Sequence, residues 1–448
     1  MTVLHVGIDD TDSPRMGCTT YVASLIVEKL AAKGVSFIDY PNLVRLNPNV
    51  PWKTRGNGAL CLRLRCTESQ VEEIKETVVD TVEENSDLDF AGTEPGVVFC
   101  FGDTIPEKFT AFAKQAIRGI VKLSDAVKLV KAFQAEAVGF KTQRGIIGAL
   151  AAIGGNLKDD HTYELIAYRT PQNRGTKRQL DPTSVAEMDK KTKPLTFNNV
   201  DPETGRILIT PHGPDPIFYG IRGETATVVR RAHRMVKATE PIERWTIFRT
   251  NHGTDAHLRK IASIEEIQPF NPVVVKGKVS KAPSIIPRRH VVFAISDETK
   301  QVDCAAYEPT GELRKIAQKL LVGDVIEAYG GIRPPSKKRP MTVNLEKLKI
   351  LELAAKTVSQ NPLCPQCCRR MESMGVNKGF RCPKCGFRST ELKKSIVVKS
   401  RDLKKKLYVT SPRSQRHLTK PLSRYGLEKS NRPDKMISNW FWINKPVS

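Results

Sequence analysis

No stretch of the 448-residue chain stays apolar for anything near the roughly 20 residues that span a bilayer, which argues against a membrane-spanning helix. The first residues run directly into a strand pattern, without the charged and apolar regions of a secretory signal, and this predicts a cytosolic protein. Acidic residues are scarce: 48 Asp and Glu stand against 72 Lys and Arg, a formal net charge of +24. An excess of that size argues for a polyanionic partner, most simply nucleic acid, over a merely soluble basic protein. Disulfides are not expected in a cytosolic chain, so the ten cysteines need another reading. Cys18, Cys61, Cys66, Cys100 and Cys304 lie mostly in apolar runs and read as core thiols; the other five cluster between Cys364 and Cys385. The GxGxxG spacing is also missing: glycines at 145, 148 and 154 do not make it, and no dinucleotide fold is implied.

What is present is ordinary globular composition, 40% hydrophobic and 27% charged, in a chain long enough for three or four domains. The stretch from Gly7 to Thr20, GIDDTDSPRMGCTT, follows a short apolar strand (Val3 to Val6) and precedes an amphipathic helical run (Tyr21 to Ala32). Asp9, Asp10 and Asp12 fall within four residues at the strand's end, where a divalent cation would relieve their repulsion. Magnesium favours a few carboxylates plus phosphate oxygens, so the pattern suits a metal–nucleotide site. Gly17, Cys18, Thr19 and Thr20 fall at the helix start, where free N–H groups and the dipole attract anions. An acidic turn followed by a threonine cap is the plainer alternative.

Strand patterns at Val35 to Leu46, Ala59 to Leu64 and Val97 to Phe101, with a helical pattern at Glu68 to Val82, predict an α/β or α+β first domain. The turn-rich loop from Asn47 to Gly58 carries Lys53 and Arg55 beside Gly56 and Gly58. It reads equally as a phosphate clamp or a plain hairpin. Gln143 to Gly154 reads as a helix packed through small residues. Tyr163 to Tyr168, Ile207 to Ile209, Ile217 to Ile221 and Trp245 to Phe248 are strand candidates. The stiff loop Thr210 to Pro216 presents His212 and Asp215 at fixed positions, suited to a cationic ligand or to backbone capping.

Residues 271 to 352 hold five strand patterns with a helical insert, Gly311 to Leu321, between the third and fourth. That is the order of an OB-fold, a fold that commonly binds single-stranded nucleic acid. Arg288, Arg289, Lys337, Lys338 and Arg339 would charge its loops. The CxxC pairs Cys364/Cys367 and Cys382/Cys385, 14 residues apart, predict a four-cysteine structural zinc ribbon with Cys368 a spectator. The residues after 391 are densely basic, including Arg413, Arg416, Lys420 and Arg424, and Trp440 to Trp442 supply aromatics. Backbone neutralisation and base stacking would suit them, with a solvated tail as the alternative.

Taken together these stretches resemble one family, the archaeal isoleucine tRNA 2-agmatinylcytidine synthetases (TiaS). GIDDTDSPRMGCTT, NPNVPWKTRGNG, TQRGIIGALAAIG, TPHGPDPIFYGIRGE, ERWTIFRTNHGTDAHL and RHLTKPLSRYG occur in that family's order, with the OB-like segment and the ribbon among them. The resemblance implies a multidomain α+β chain. Its parts are an ATP-binding kinase-like α/β domain (1–123), a ferredoxin-like domain (124–268), an OB-fold β-barrel (269–355), a zinc ribbon (360–390) and a basic tRNA-binding tail (391–448). It also implies ATP, magnesium and structural zinc as cofactors, with agmatine and CAU-anticodon isoleucine tRNA as substrates. Asp9, Asp10 and Asp12 fall on its acidic cluster, with Asp9 and Asp10 assigned to magnesium, and Thr19 falls on its autophosphorylated threonine. Gly17, Cys18, Thr20, Lys53, Arg55, Gly56 and Gly58 are assigned to ATP. Gly213 and Asp215 are assigned to agmatine, and Arg288, Arg289, Lys337, Lys338, Arg413, Arg416, Lys420 and Arg424 to tRNA. A non-catalytic OB and zinc-ribbon RNA-binding protein, or a simple ATP-dependent kinase, are the competing readings; neither accounts for the acidic cluster, the Asp215 loop and the RNA-binding half together.

Overall fold

β1 (Thr2–Asp9) is buried from Val3 to Ile8 because it has a strand on each side and helices on both faces. The computed structural model describes residues 1–430 and 435–444. α1 (Thr19–Ala32) follows, then β2 (Asn42–Arg45) and β3 (Gly58–Cys66), α2 (Val71–Glu84), β4 (Gly96–Phe101), α3 (Glu107–Arg118), α4 (Leu123–Ala132), β5 (Glu136–Gly139) and α5 (Gly145–Gly154). β1 lies antiparallel between β3 and β4; β2 continues the sheet beyond β3, and β5 continues it beyond β4. The strands alternate with period two. Leu60, Leu62 and Leu64 of β3 face the core under α1 and α2, whereas Ala59 and Cys61 face α3 to α5.

α5 packs on the sheet backbone to backbone. A Cβ on Gly7 of β1 would stand 2.1 Å from the Ala149 carbonyl oxygen, and one on Gly96 of β4 would stand 2.3 Å from the Gly145 carbonyl carbon. Only glycine permits that approach. With α4 and β5, this helix belongs to the first unit, which therefore runs well past the boundary at 123 expected from the sequence.

The second unit comprises β6 (Thr162–Arg169), α6 (Pro182–Thr192), β7 (Thr196–Phe197), β8 (Ile217–Gly223), α7 (Ala226–His233) and β9 (Ile242–Thr250). Its strands extend the same sheet, in the order β5-β4-β1-β3-β2-β9-β6-β8-β7. The join is a short parallel pairing of β2 with β9, Asn42 opposite Arg249 and Leu43 opposite Thr250. Two of the strand expectations fail. Ile207 makes only an isolated bridge to Val200, since Ile207 to Ile209 leads directly into the proline-rich loop. The run Val35 to Leu46 is broken into Ser36–Phe37 and β2, with Pro41, which has no N–H to donate, between them.

β10 (Pro272–Ile286), β11 (His290–Ser296), β12 (Gln301–Ala306), β13 (Val325–Arg333) and β14 (Thr342–Glu352) close into a barrel, because the long β10 pairs with both β11 and β13. α8 (Glu312–Ala317) sits between the third and fourth strands, as the OB order requires. A two-stranded stem, Lys356–Gln360 with Ser395–Lys399, carries the ribbon, whose three strands are two residues each.

The described residues after 400 do not form a free basic tail. Leu407–Val409 adds a strand to β14, and Phe441–Ile443 adds one to β9, so the segment straps the barrel to the main sheet. Several of its charges are paired within the protein, while Lys404, Lys405 and Lys406 are exposed. Arg413 pairs with Asp201 and Glu203, and Lys420 with Asp160 and Glu428. Arg424 pairs with Asp160 and Glu224 and is 0% exposed. Arg416 donates to the Asn49 side chain. The sequence assigned these four residues to tRNA. Arg413, Lys420 and Arg424 meet carboxylates that need a counter-charge, whereas Arg416 meets an amide oxygen; residues 431–434 and 445–448 of the expected tail lie outside the described residues. Among the described residues no helix is long and apolar enough to cross a membrane.

Trp440 anchors the end of the strap, edge-on to Phe37, Tyr40 and Phe441 at centroid distances of 5.4, 6.1 and 4.7 Å. Trp440→Ala should lower the unfolding free energy by about 3 kcal/mol, read as a shifted urea midpoint at unchanged slope.

Candidate active site

The acidic turn at the end of β1 is shaped by its neighbours. Asp10 takes a left-handed backbone conformation (φ 60°), which swings Asp9 and Asp10 apart. Asp9 lies against α5 at Gly148, where a Cβ would stand 1.8 Å from its carboxylate oxygen, so this glycine makes room for the acid. Burial and the neighbouring Asp10 push the Asp9 carboxyl well above its ordinary value. Burial likewise raises Asp10, to about 6, against the pull of Arg144. Arg144, the residue before α5, donates from Nη2 to Asp10 at 3.0 Å and to the Gly92 carbonyl at 2.9 Å.

Asp12 points to Arg55, whose Nε donates to it at 2.8 Å; another arm of Arg55 reaches Asp215 at 3.2 Å, and the Gly17 carbonyl accepts from it as well. Repulsion within the cluster is thus relieved largely by arginines. The three carboxylates do not gather their oxygens into one tight group; among the described residues only the four ribbon cysteines do so. Asp9 and Asp10 are the residues that could hold a magnesium ion, a cation that favours a few carboxylates together with phosphate oxygens. α1 begins at Thr19, with Cys18 as its uncapped N-cap, so first-turn N–H groups remain available to an anion. The Thr11 hydroxyl donates to the Thr19 hydroxyl at 3.2 Å.

These groups line one cavity of about 450 Å³. Asp9, Asp10, Asp12, Cys18, Thr19, Thr20, Lys53, Arg55, Gly56, Gly58, Gly213 and Asp215 all border it; Gly17 touches it only through Arg55. Lys53 is exposed at the rim. Asp215 is buried and accepts from Arg178 (3.2 Å), Arg55 and the Ile217 N–H (3.1 Å), and burial raises its carboxyl above the ordinary range. Gly56 and Gly58 prove to accommodate protein: a Cβ at Gly56 would stand 2.7 Å from His417 Nε2, and one at Gly58 3.1 Å from Arg45 Nη1. Sequence reasoning missed Arg45, Arg144, Glu164, Arg222 and His417, which complete the lining. Arg222 lies in the GIRGE stretch and His417 in RHLTKP, so both stood inside quoted motifs; only the fold shows that they converge.

Arg288, Arg289, Lys337 and Lys338 are exposed in the barrel's loops, away from the cavity lining. In the ribbon the ligand sulfurs of Cys364, Cys367, Cys382 and Cys385 all lie within 4.8 Å of one another, with 3.5 Å between Cys364 and Cys385 and 3.4 Å between Cys367 and Cys382. Zinc–sulfur bonds of about 2.3 Å suit that spacing. Cys368 stands outside the set and is exposed.

A nucleotide-type acidic cavity on one sheet, joined to an OB barrel and a zinc ribbon, defines a class of multidomain enzymes that act on nucleic acid. Family models give the TiaS TCKD domain at residues 5–142, the TiaS FLD domain at 143–257, which takes in α5 although that helix packs on the first unit's strands, an OB-fold nucleic acid binding domain at 273–351 and the TiaS C-terminal zinc ribbon domain at 361–403. The chain belongs to the TiaS family. It is 41% identical to the isoleucine tRNA 2-agmatinylcytidine synthetase TiaS of Methanocaldococcus jannaschii, over 94% of this chain and 99% of that one. The Thermococcus sibiricus synthetase is 43% identical over 94% and 96%. The structure superposes on that of a complex of TiaS with isoleucine tRNA and ATP with a TM-score of 0.85 (39% identity, 95% and 98% covered). For a complex of TiaS with isoleucine tRNA, AMPCPP and agmatine the TM-score is 0.83 (37% identity, 95% and 98% covered).

The ribbon's small core is Cys364, Met371, Phe380 and Cys382, two of them ligands, so it depends on the ion. A strong chelator should release zinc and open residues 361–390 to protease while the cooperative unfolding of the main sheet is unchanged; mass spectrometry of the fragments and a thermal melt check this.

Proposed function

We propose that the protein joins agmatine to C2 of the wobble cytidine in CAU-anticodon isoleucine tRNA, using ATP to activate the C2 carbonyl oxygen by phosphorylation. The observation that carries this reading is the single cavity in which the acidic turn of the first unit faces the Asp215 loop of the second. A cytosine C2 carbonyl is a poor electrophile until its oxygen becomes a leaving group, and phosphoryl transfer is chiefly positioning and charge neutralisation. Asp9 and Asp10 would hold magnesium, which would supply charge neutralisation for the nucleotide phosphates. The α1 N-terminus with Cys18, Thr19 and Thr20, and Lys53 at the rim, receive the phosphates. Thr19 is the autophosphorylation candidate, with its hydroxyl already hydrogen-bonded to Thr11.

Agmatine attacks through a neutral amine while its guanidinium stays charged. Asp215 already holds two guanidinium groups, those of Arg55 and Arg178, and so is a carboxylate built for that shape of cation. The ligand's guanidinium would share it, beside Gly213. Arg55 ties Asp215 to Asp12, so the two substrate sides are set at a fixed separation. The exposed Arg288, Arg289, Lys337 and Lys338 of the barrel suit contact with the tRNA backbone.

Unmodified CAU-anticodon isoleucine tRNA, incubated with the protein, ATP, magnesium and agmatine, should yield a cytidine carrying agmatine's mass on nucleoside mass spectrometry, absent when ATP or agmatine is omitted. Asp10→Asn should lower its formation at least about 100-fold. Thr19→Val should abolish transfer of label from γ-labelled ATP to the protein. Tight tRNA binding with no modified cytidine would instead favour a binding protein.

A further inference from the structure

Four arginines line the cavity, and they differ in how far their donors are used. Arg55 is engaged by Asp12, Asp215 and the Gly17 carbonyl, and Arg144 by Asp10 and the Gly92 carbonyl with Glu94 at 3.9 Å. Arg45 and Arg222 share one carboxylate. Glu164, only 2% exposed, accepts from Arg222 Nε at 2.9 Å and lies 3.6 Å from Arg45 Nη2. Among the described residues the Arg222 side chain makes no other hydrogen bond, and Arg45 Nε is buried with no partner. Glu164 stays ionised, held well below the usual carboxylate range by Arg222, His252 and Arg45 against its burial. His252 is held near 4 by burial and Arg222, and burial with Arg45 depresses His417, so both imidazoles beside the pair are neutral. This wall therefore presents two guanidiniums against one anion.

Unused N–H donors beside a net positive charge are what an oxyanion requires. Glycine backbone packs close against this group, since a Cβ would stand 3.0 Å from Arg45 Nη1 at Gly56 and 2.9 Å from Glu164 Oε1 at Gly220. Nucleotide phosphates have other partners at the acidic turn and the α1 N-terminus, which leaves the phosphoryl group that quits the nucleotide.

We infer that Arg45 and Arg222, aimed by Glu164, form an oxyanion pocket that holds the transferred phosphoryl group from its arrival on the cytosine oxygen until it departs as inorganic phosphate. This rests on the function proposed above. In the first step the C2 oxygen forms a bond to phosphorus and the bond from phosphorus to the nucleotide breaks, its electron pair leaving with the nucleotide. In the second the amine nitrogen bonds to C2, the C2–O bond breaks with its pair going to phosphate, and the nitrogen gives up its surplus proton to solvent. Both guanidiniums then face the oxygens on which charge collects. Glu164 touches neither substrate and is a positioning residue.

The test is inhibition of the full-length enzyme by inorganic phosphate, with agmatine incorporation into tRNA as the readout. Wild type should be inhibited by phosphate. Arg222→Met should lower turnover about 100-fold and raise the phosphate inhibition constant at least about tenfold, with KM for ATP nearly unchanged. Arg222→Lys keeps the charge without the fork, and should fall between the two should the methionine variant not fold. Glu164→Gln should reproduce the turnover loss and the weakened phosphate inhibition with KM for ATP nearly unchanged, a split that a merely structural role would not produce. A KM for ATP that rises as steeply as the inhibition constant would assign the pocket to the nucleotide and overturn the inference. Wild-type turnover indifferent to phosphate, or equal inhibition of wild type and variants, would overturn it as well. A wild type that forms no modified cytidine at all would instead defeat the functional reading on which it rests.

Discussion

Two residue pairs, Asn42 with Arg249 and Leu43 with Thr250, hold this protein's two halves in one sheet, and everything about the cavity depends on them. So short a parallel pairing is weak alone, and it is reinforced from both sides. The buried Arg249 guanidinium donates to Asp39 and to the Leu157 carbonyl, while the Asn251 amide bonds both the N–H and the carbonyl of Arg45. The Arg45 N–H and carbonyl and the Leu157 carbonyl are satisfied in this way, as buried backbone groups require. The acidic turn comes from one side of the seam and the Asp215 loop from the other, so their spacing is that of strands in a sheet rather than that of two loosely tethered domains.

Charge inside the cavity follows a division of labour. Acids that meet the nucleotide side are each matched by an arginine that also binds a backbone carbonyl: Asp10 by Arg144, Asp12 by Arg55. Asp9 is left in excess on one wall, and Arg45 with Arg222 is left in excess on another. Such paired surpluses of opposite sign within one cavity suit a reaction that brings a cation-bridged polyphosphate to one wall and releases a free anion at another.

The sequence made much of this readable, for reasons that lie in particular residues. The CxxC pairs are local, and a tetrahedral ion leaves little freedom in how they fold. The OB order could be read because its strands alternate and its helix falls where the barrel needs it. Asp9, Asp10, Asp12 and Thr19 could be named together because they lie within one short stretch at the end of β1 and the start of α1. Arg45, Glu164, Arg222 and His417 were not, since each is unremarkable among its neighbours and becomes a group only when four distant segments meet. The pairing of the basic C-terminal stretch was hidden for a related reason: composition counts Arg413, Lys420 and Arg424 as charge, whereas Asp160, Asp201 and Glu224, the acids that pair with them, lie far earlier in the chain.

The strap has a consequence for how the enzyme is made. His417, which forms part of the cavity wall, and the strand Phe441–Ile443 that lies against β9 belong to a segment that follows the sheet, the barrel and the ribbon in the chain. Domains fold as they emerge, so the sheet, the barrel and the ribbon can all be formed while the cavity still lacks one side. A nascent or prematurely terminated chain would own every carboxylate of the nucleotide side yet hold it open to water. The order of synthesis thus withholds a finished reaction chamber until translation has passed every domain.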